Sequence, residues 1–329
     1  MKENFSCTLT GKRWWKPFIV CVALSLAIMI PSELASLNPP EDPARAMAAF
    51  FFTLALEGLL IVVQAAFSVV LMALVYPTVA IKEKPLAFTG KIGEYVKINI
   101  LGFLLCLVTL GFYIPVYARK IVSYIAEHSE CEGTKASFRS KTGTLMKYYI
   151  LAFVLPLVAV CVAFGILAAQ LNLAKASNVS GSFGFAMVIL YLAIFIVIIP
   201  FLYLAYRWSI NFAWKGLTIS WDTHFWPSCG FLLAQLGLLV VTCGIAWPVV
   251  FANIYRYFAG KTVVRENGAE KGRLGFGATA GKGFTLLWGQ ALLTLITCGI
   301  YLPWAYANCM RFFINNTYYE GKQELIGQA

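Results

Sequence analysis

The sequence predicts an all-α, polytopic integral membrane protein. It would have four to seven transmembrane helices, three of them repeated and interrupted by Gly and Pro, with short cytoplasmic strand or loop segments between them. Three observations carry this. Hydrophobic residues fill 60% of 329 positions and charged ones only 12%, and the mean hydropathy is +0.75, a balance that cannot supply both a core and a solvated shell. The apolar residues fall into seven long runs. The formal charge of +11 is confined to the short hydrophilic stretches between them, which reads as membrane orientation and not as nucleic-acid binding.

The first run, 18–37, follows Lys12, Arg13 and Lys16. It reads as a retained span and not a cleaved signal, because the residues before it match a repeated element described below. The second, 46–81, is longer than a bilayer core requires, since about 35 helical residues reach about 50 Å. It must tilt or project, with Pro77 near its exit. Runs 148–171 and 183–206 are ordinary spans, whereas 95–128, 230–258 and 284–314 are of another kind.

Those three share a signature. Thr109-Leu-Gly111-Phe-Tyr-Ile-Pro115, Thr242-Cys-Gly244-Ile-Ala-Trp-Pro248 and Thr297-Cys-Gly299-Ile-Tyr-Leu-Pro303 all read T-x-G-x-x-x-P after an apolar stretch. Asn253 and Asn308 follow their prolines at one offset, Arg256 and Arg311 at another, so the segments form an internal repeat. A second element, F-x-x-x-x-G, occurs at Phe88 to Gly93, Phe138 to Gly143 and Phe276 to Gly281, and one residue longer at Phe5 to Gly11. The segments 135–138 and 273–276 read either as small cytoplasmic strands whose glycine permits a turn before the helix, or as plain linkers.

The stretch from Leu293 through Pro303-Trp304, its continuation through Arg311 to Glu320-Gly321, and the F-x-x-x-x-G segments resemble the YjgN family of bacterial inner-membrane proteins. The resemblance covers about 88–321 and, more weakly, the region from Phe5. Val116 and Val249 stand where the last copy has Trp304, and Ala246 where it has tyrosine. The resemblance implies a bacterial inner-membrane location and a repeated architecture; it brings no catalytic residues.

Charge counting sets the topology. The loops near 36–45 and 172–182, the latter holding only Lys175, read as external. Every other connection is rich in Lys and Arg, which puts the N-terminus and most loops in the cytoplasm. Seven crossing helices would place the cluster from Arg119 to Lys147 outside, against that rule. Two arrangements stay open: four spans with three re-entrant segments broken at T-x-G and restarted by proline, or seven crossing helices. The divisions are 1–82, 83–147, 148–215, 216–268 and 269–329, in which pairs of spans alternate with the signature copies.

The candidate solute path consists of Glu57 and Gln64, on one face of the second run, with the three apices: Thr109, Gly111 and Pro115; Thr242, Gly244 and Pro248; Thr297, Gly299 and Pro303. Such apices could offer carbonyls and a hydroxyl to a polar solute, or serve only as packing devices. Lys120, Arg256, Arg311, Trp226 and Trp304 read as headgroup contacts.

Nine cysteines form no CxxC pair, and His128 and His224 lie far apart, so no metal site and no cofactor are expected. No catalytic constellation is present, and an enzyme is not expected. Two function classes remain: transport of a small polar solute or ion through a cavity lined by the interrupted helices, which is favoured, and a non-enzymatic membrane-organising protein that binds lipid or a partner. The partners are membrane lipids and, for transport, a polar solute; the sequence leaves the oligomeric state open.

Overall fold

A computed structural model describes residues 2–37, 42–170, 180–321 and 325. Four helices in it are long and apolar enough to cross a membrane: Trp15–Leu34, Pro43–Thr78, Thr142–Ile166 and Met187–Ser209. Lys175, placed in an external loop by the charge pattern, lies outside the described residues.

The all-α expectation is overturned. Eleven strands form one antiparallel sheet: β1 (Lys2–Cys7), β2 (Val79–Ile81), β3 (Lys84–Phe88), β4 (Ser129–Cys131), β5 (Thr134–Lys135), β6 (Ser137–Phe138), β7 (Asn211–Trp214), β8 (Leu217–Trp221), β9 (Thr262–Glu266), β10 (Ala269–Phe276) and β11 (Thr317–Gly321). The order is β5-β4-β3-β2-β1-β11-β10-β9-β8-β7-β6. Its two ends, β5 and β6, are separated only by Ala136, whose N–H donates to the Ser129 carbonyl at 3.0 Å. The sheet therefore curls into a nearly closed barrel. The last seam joins the two ends of the chain, with Glu3 opposite Tyr319 and Asn4 opposite Tyr318.

Between the strands run the helices: α1 (Trp15–Leu37), α2 (Pro43–Val75), α3 (Ile92–Val108), α4 (Ile114–Glu127), α5 (Thr142–Tyr149), α6 (Leu155–Gln170), α7 (Ser180–Ser209), α8 (Phe225–Val241), α9 (Trp247–Gly260), α10 (Ala280–Ile296) and α11 (Leu302–Asn315), with one π-helical turn, Ile150–Val154, joining α5 to α6. The chain thus passes five times through the same sequence of strand, helical hairpin and paired strand. Consecutive passes meet through two-residue turns at Lys82-Glu83, Glu132-Gly133, Lys215-Gly216 and Asn267-Gly268. In each turn both residues have positive φ, between 47° and 85°, the type I′ geometry that matches strand twist. Connectivity then puts every helical hairpin on one rim of the barrel and every β-turn on the other. The Lys/Arg-rich connections consequently share one side of the helices, which removes the conflict between alternation and charge.

The signature segments are helix–turn–helix hairpins, not single interrupted spans. In all three a 17-residue helix, about 25 Å long, is followed by a five-residue turn and a 14-residue helix. The threonine serves both helices. Thr297 Oγ1 donates to the Leu293 carbonyl at 2.8 Å and accepts from the Tyr301 N–H at 3.0 Å. Thr109 and Thr242 make the same pair of bonds. The next residue is left-handed, and the glycine has φ of 84–88°, a region where a side chain is strained. The proline falls in the first turn of the second helix, where a missing N–H is harmless. Pro115, Pro248 and Pro303 are fully buried.

At the F-x-x-x-x-G element the strand reading of 135–138 and 273–276 holds, as the end of β5, β6 and the end of β10, but the role given to the glycine needs correction. The element's phenylalanine ends a strand, and Gly93, Gly143 and Gly281 lie inside the first turn of the following helix. Nothing lies within 4 Å of a Cβ built on any of the three, so no turn before the helix requires glycine there.

The barrel interior is packed. Cys131, Leu217, Val264, Tyr319 and Leu325 form its buried centre, with Phe5, Ile81, Leu86, Trp214, Ile219 and Leu274 against them. Leu325 comes from beyond the last strand, and its N–H donates to Glu3 Oε1 at 3.2 Å. Near the β-turn rim Glu132 accepts from Lys215 Nζ at 2.7 Å and also pairs with Lys84, so one carboxylate ties three strand ends. Those two lysines, Lys215 first, hold its carboxyl below the ordinary value of 4.5. A depressed folded pKa gives stability that is present above the unfolded value and lost as pH falls through the folded one. Glu132→Gln should therefore lower the melting temperature at neutral pH, and the difference from the parent should vanish on acidification well below 4.5.

Candidate functional site

On the hairpin side each hairpin leans on the next: α2 on α3, α4 on α5, α7 on α8, α9 on α10, and α11 on the short turn Gly11–Arg13 before α1. A small apolar cavity of about 290 Å³ lies between α2 and α3, and two larger ones open between other hairpins. One, of about 600 Å³, lies among α4, α5, α7, α8 and α9, with Tyr149, Phe201, Tyr206, Trp208, Leu236 and Val250 in its wall. The other, of about 660 Å³, lies among α9, α10, α11 and the start of α1, with Trp14, Trp247, Leu287, Thr294 and Tyr306 in its wall. Both walls are almost entirely apolar.

Each of these two cavities has one side-chain amide in its wall, and the oxygen of each is engaged. Gln235 Oε1 accepts from Asn253 Nδ2 at 3.3 Å, and Gln290 Oε1 from Asn308 Nδ2 at 2.9 Å. These pairs clasp the two helices of one hairpin at the same position, and interhelical amide hydrogen bonds are a way to hold helices in an apolar medium. In the α3/α4 hairpin the clasp is built differently. The Tyr117 hydroxyl donates to Asn99 Oδ1 at 2.7 Å, and its ring covers Gly102. The glutamines and the Asn99/Tyr117 pair escaped the sequence reading. Asn253 and Asn308 did not, and the shared spacing of each glutamine seven residues before its threonine was a usable signal.

The structure does not bring the candidate solute path together. Glu57 and Gln64 are exposed on α2, and the apices sit at the tips of three separate hairpins. Those tips are exposed and apolar: Leu110 is 89% exposed and Val241 82%. The threonine hydroxyls are used within their own hairpins. Of the headgroup candidates, Trp226 is 81% exposed at the start of α8, and Lys120 is exposed, with its Nζ 5.5 Å from the centre of the Tyr113 ring. Arg256 instead binds the Ala278 carbonyl at the mouth of the next hairpin, Arg311 binds Asn308, and Trp304 packs over Gly11. Among the described residues no group of three His, Cys, Asp or Glu is placed to hold a metal ion.

With this geometry in view, comparison with known proteins gives a family match. The family described as "Bacterial protein of unknown function (DUF898)" matches residues 113–272, from the turn before α4 to the middle of β10. That stretch holds the third and fourth hairpins and the whole wall of the 600 Å³ cavity. No curated protein and no solved structure matches.

Proposed function

We propose that the chain is a bacterial inner-membrane protein of the YjgN type, non-enzymatic, that holds phospholipid acyl chains between its helical hairpins, with the barrel on the cytoplasmic side. The recurring strand–hairpin–strand unit is read as an internal repeat that builds these lipid-holding clefts. The observation that carries the reading is the pair of cavities at hairpin junctions. They lie within the roughly 300–1,000 Å³ usual for small-molecule sites, their walls are almost entirely apolar, and the oxygens of their two amides are held in interhelical clasps. Such a wall offers a polar solute few partners and offers a hydrocarbon chain dispersion contacts over most of its surface. The exposed apolar tips suit hydrocarbon as well. The basic connections, gathered at the barrel, favour the cytoplasmic side for it. Transport is the weaker reading because Glu57, Gln64 and the apices line no common cavity.

The test is to fill the larger cavity. Ala118 and Ala205 line it, and the double variant Ala118→Phe/Ala205→Phe should lose most of the phospholipid that the parent retains through exhaustive detergent exchange, as counted by mass spectrometry. A parent that retains no phospholipid, or a filled variant that retains as much, would overturn the proposal.

A further inference from the structure

One cavity differs from the apolar ones in chemistry. It has a volume of about 320 Å³ and lies where α5 begins and α7 ends, with Arg139, Lys141, Arg207, Thr144, Tyr148 and Asn211 in its wall. Three cations face one small space, and among the described residues none has a carboxylate partner. The sequence around them shows why. Between Glu132 and Asp222 there is no Asp or Glu, while Lys135, Arg139, Lys141, Lys147, Lys175, Arg207 and Lys215 all fall in that interval.

The second hairpin supplies the contrast. Lys91 stands three residues after Phe88, as Lys141 does after Phe138. Lys91 pairs with Glu94 at 3.6 Å, and Glu94 also reaches His128. The position equivalent to Glu94 is Thr144, so the third hairpin keeps the cation and lacks the carboxylate that would neutralise it.

The loop carrying Arg139 and Lys141 is firmly held. Ser140 Oγ donates to the Trp208 carbonyl at 2.7 Å and accepts from Asn211 Nδ2 at 3.1 Å. Trp208 Nε1 donates to the Lys141 carbonyl at 2.9 Å, and Arg119 Nε donates to the Ser140 carbonyl at 3.1 Å. That last bond brings a fourth cation to the loop. Like charges gathered on a held loop with no counter-charge repel one another, and an anion in the cavity relieves that repulsion. Lys141 is the N-cap of α5 and makes no side-chain cap, so the first N–H groups of α5 add their partial positive charge.

We infer that the pocket of Arg139, Lys141 and Arg207 binds a phosphate group, carried by a phospholipid. The guanidinium groups of Arg139 and Arg207 suit bidentate recognition of phosphate oxygens, and Lys141 adds a point charge. Trp208 walls both this pocket and the large apolar cavity, which places headgroup chemistry one side chain away from the space assigned to acyl chains. The phosphate chemistry stands on the pocket alone; only its carrier rests on the lipid reading above.

The test uses the full chain in a neutral detergent, with binding read as a saturable rise in melting temperature. The titrants are dihexanoyl phosphatidylglycerol, dihexanoyl phosphatidylcholine and inorganic phosphate. The parent should bind phosphatidylglycerol more tightly than phosphatidylcholine. R139Q/R207Q should bind it at least tenfold more weakly, R139K/R207K should recover part of the loss, and K282Q, outside the pocket, should behave as the parent. Unliganded melting of each variant shows whether it is folded, and the lysine pair keeps the charge if the glutamine pair does not fold. Equal affinity of the parent and the glutamine or lysine variants for phosphatidylglycerol would overturn the inference; equal affinity of the parent for both lipids would uphold the phosphate site, since both carry that group, and remove only the preference for an anionic headgroup. Inorganic phosphate that binds as tightly as phosphatidylglycerol would uphold the phosphate site while removing the lipid as its carrier.

Discussion

Tyr319→Ala should destabilise the protein by about 3–5 kcal/mol, the range for removing a large aromatic from a packed core, measured by equilibrium unfolding or steric trapping in detergent. Tyr319 is 0% exposed at the centre of the barrel. Its ring occupies a slot that Gly272 and Gly321 leave open, since a Cβ at either would strike it. Tyr319→Phe should leave stability unchanged or raise it, because the hydroxyl is buried with no hydrogen-bond partner and an unmet buried donor is a liability. The pair separates packing from polarity: a large loss in both variants would mean that the hydroxyl has a partner and that the barrel interior differs from this description.

The second large effect is expected at the other end of the chain. Gly11→Ala would put a Cβ 2.6 Å from Trp304 Cγ and 2.8 Å from Trp304 Cα. Ring and backbone are both too close, so rotating the indole does not relieve the clash and α11 must shift. Overpacking of this kind costs about 1–3 kcal/mol. The effect should be local to the junction of the last hairpin with the first, and should appear as faster proteolysis near both termini. Ala substitution at Gly58, where nothing lies within 4 Å of the added Cβ, serves as the control. Equal stability of Gly11→Ala and the parent would mean that α11 does not close against the first hairpin.

Much of the helical structure was legible in the sequence, and of the sheet only two pieces were, 135–138 and 273–276, which read as strands or linkers and hold the end of β5, β6 and the end of β10. Spans such as Pro43–Thr78 and Thr142–Ile166 reveal themselves through local apolar runs. The T-x-G-x-x-x-P turns reveal themselves through residues with strong local preferences, Gly for positive φ and Pro for a first turn. The strands have no such signature. β5 and β6 have two residues each, β3 reads Lys-Pro-Leu-Ala-Phe, and β10 carries Glu270, Lys271 and Arg273, so even where a strand was one of two readings a polar linker fitted as well. Their partners are set by ring closure: β1 pairs with β11, some three hundred residues away. A local signal did exist at the β-turns, where Asn267-Gly268 is a strong hairpin dipeptide and Glu132-Gly133 and Lys215-Gly216 are weaker ones. Lys82-Glu83 reaches the same left-handed geometry without glycine, which no pattern announces.

The candidate site was legible in fragments. The apices could be found by their spacing, but spacing does not say that a threonine hydroxyl is spent within its own hairpin. Nor does the place of Glu57 within an apolar run say which way its face of α2 turns. The three basic residues of the phosphate pocket come from two stretches, Arg139 with Lys141 and Arg207, which only the pairing of β6 with β7 brings together. The run without carboxylates from 133 to 221 was readable; its meaning needed the fold.

The central claim is that the chain closes on itself, with its first strand paired to its last so that five helical hairpins stand on one barrel. Cysteines introduced at Asn4 and Tyr318, which are register partners across the closing seam, test it most directly on a background free of the native cysteines. The account predicts rapid formation of an intramolecular disulfide between Asn4→Cys and Tyr318→Cys under mild oxidation in native membranes, and none between Asn4→Cys and a cysteine at Thr218 on β8, a strand that does not pair with β1. Absence of the first cross-link in folded protein, or equal yield of the second, would contradict it.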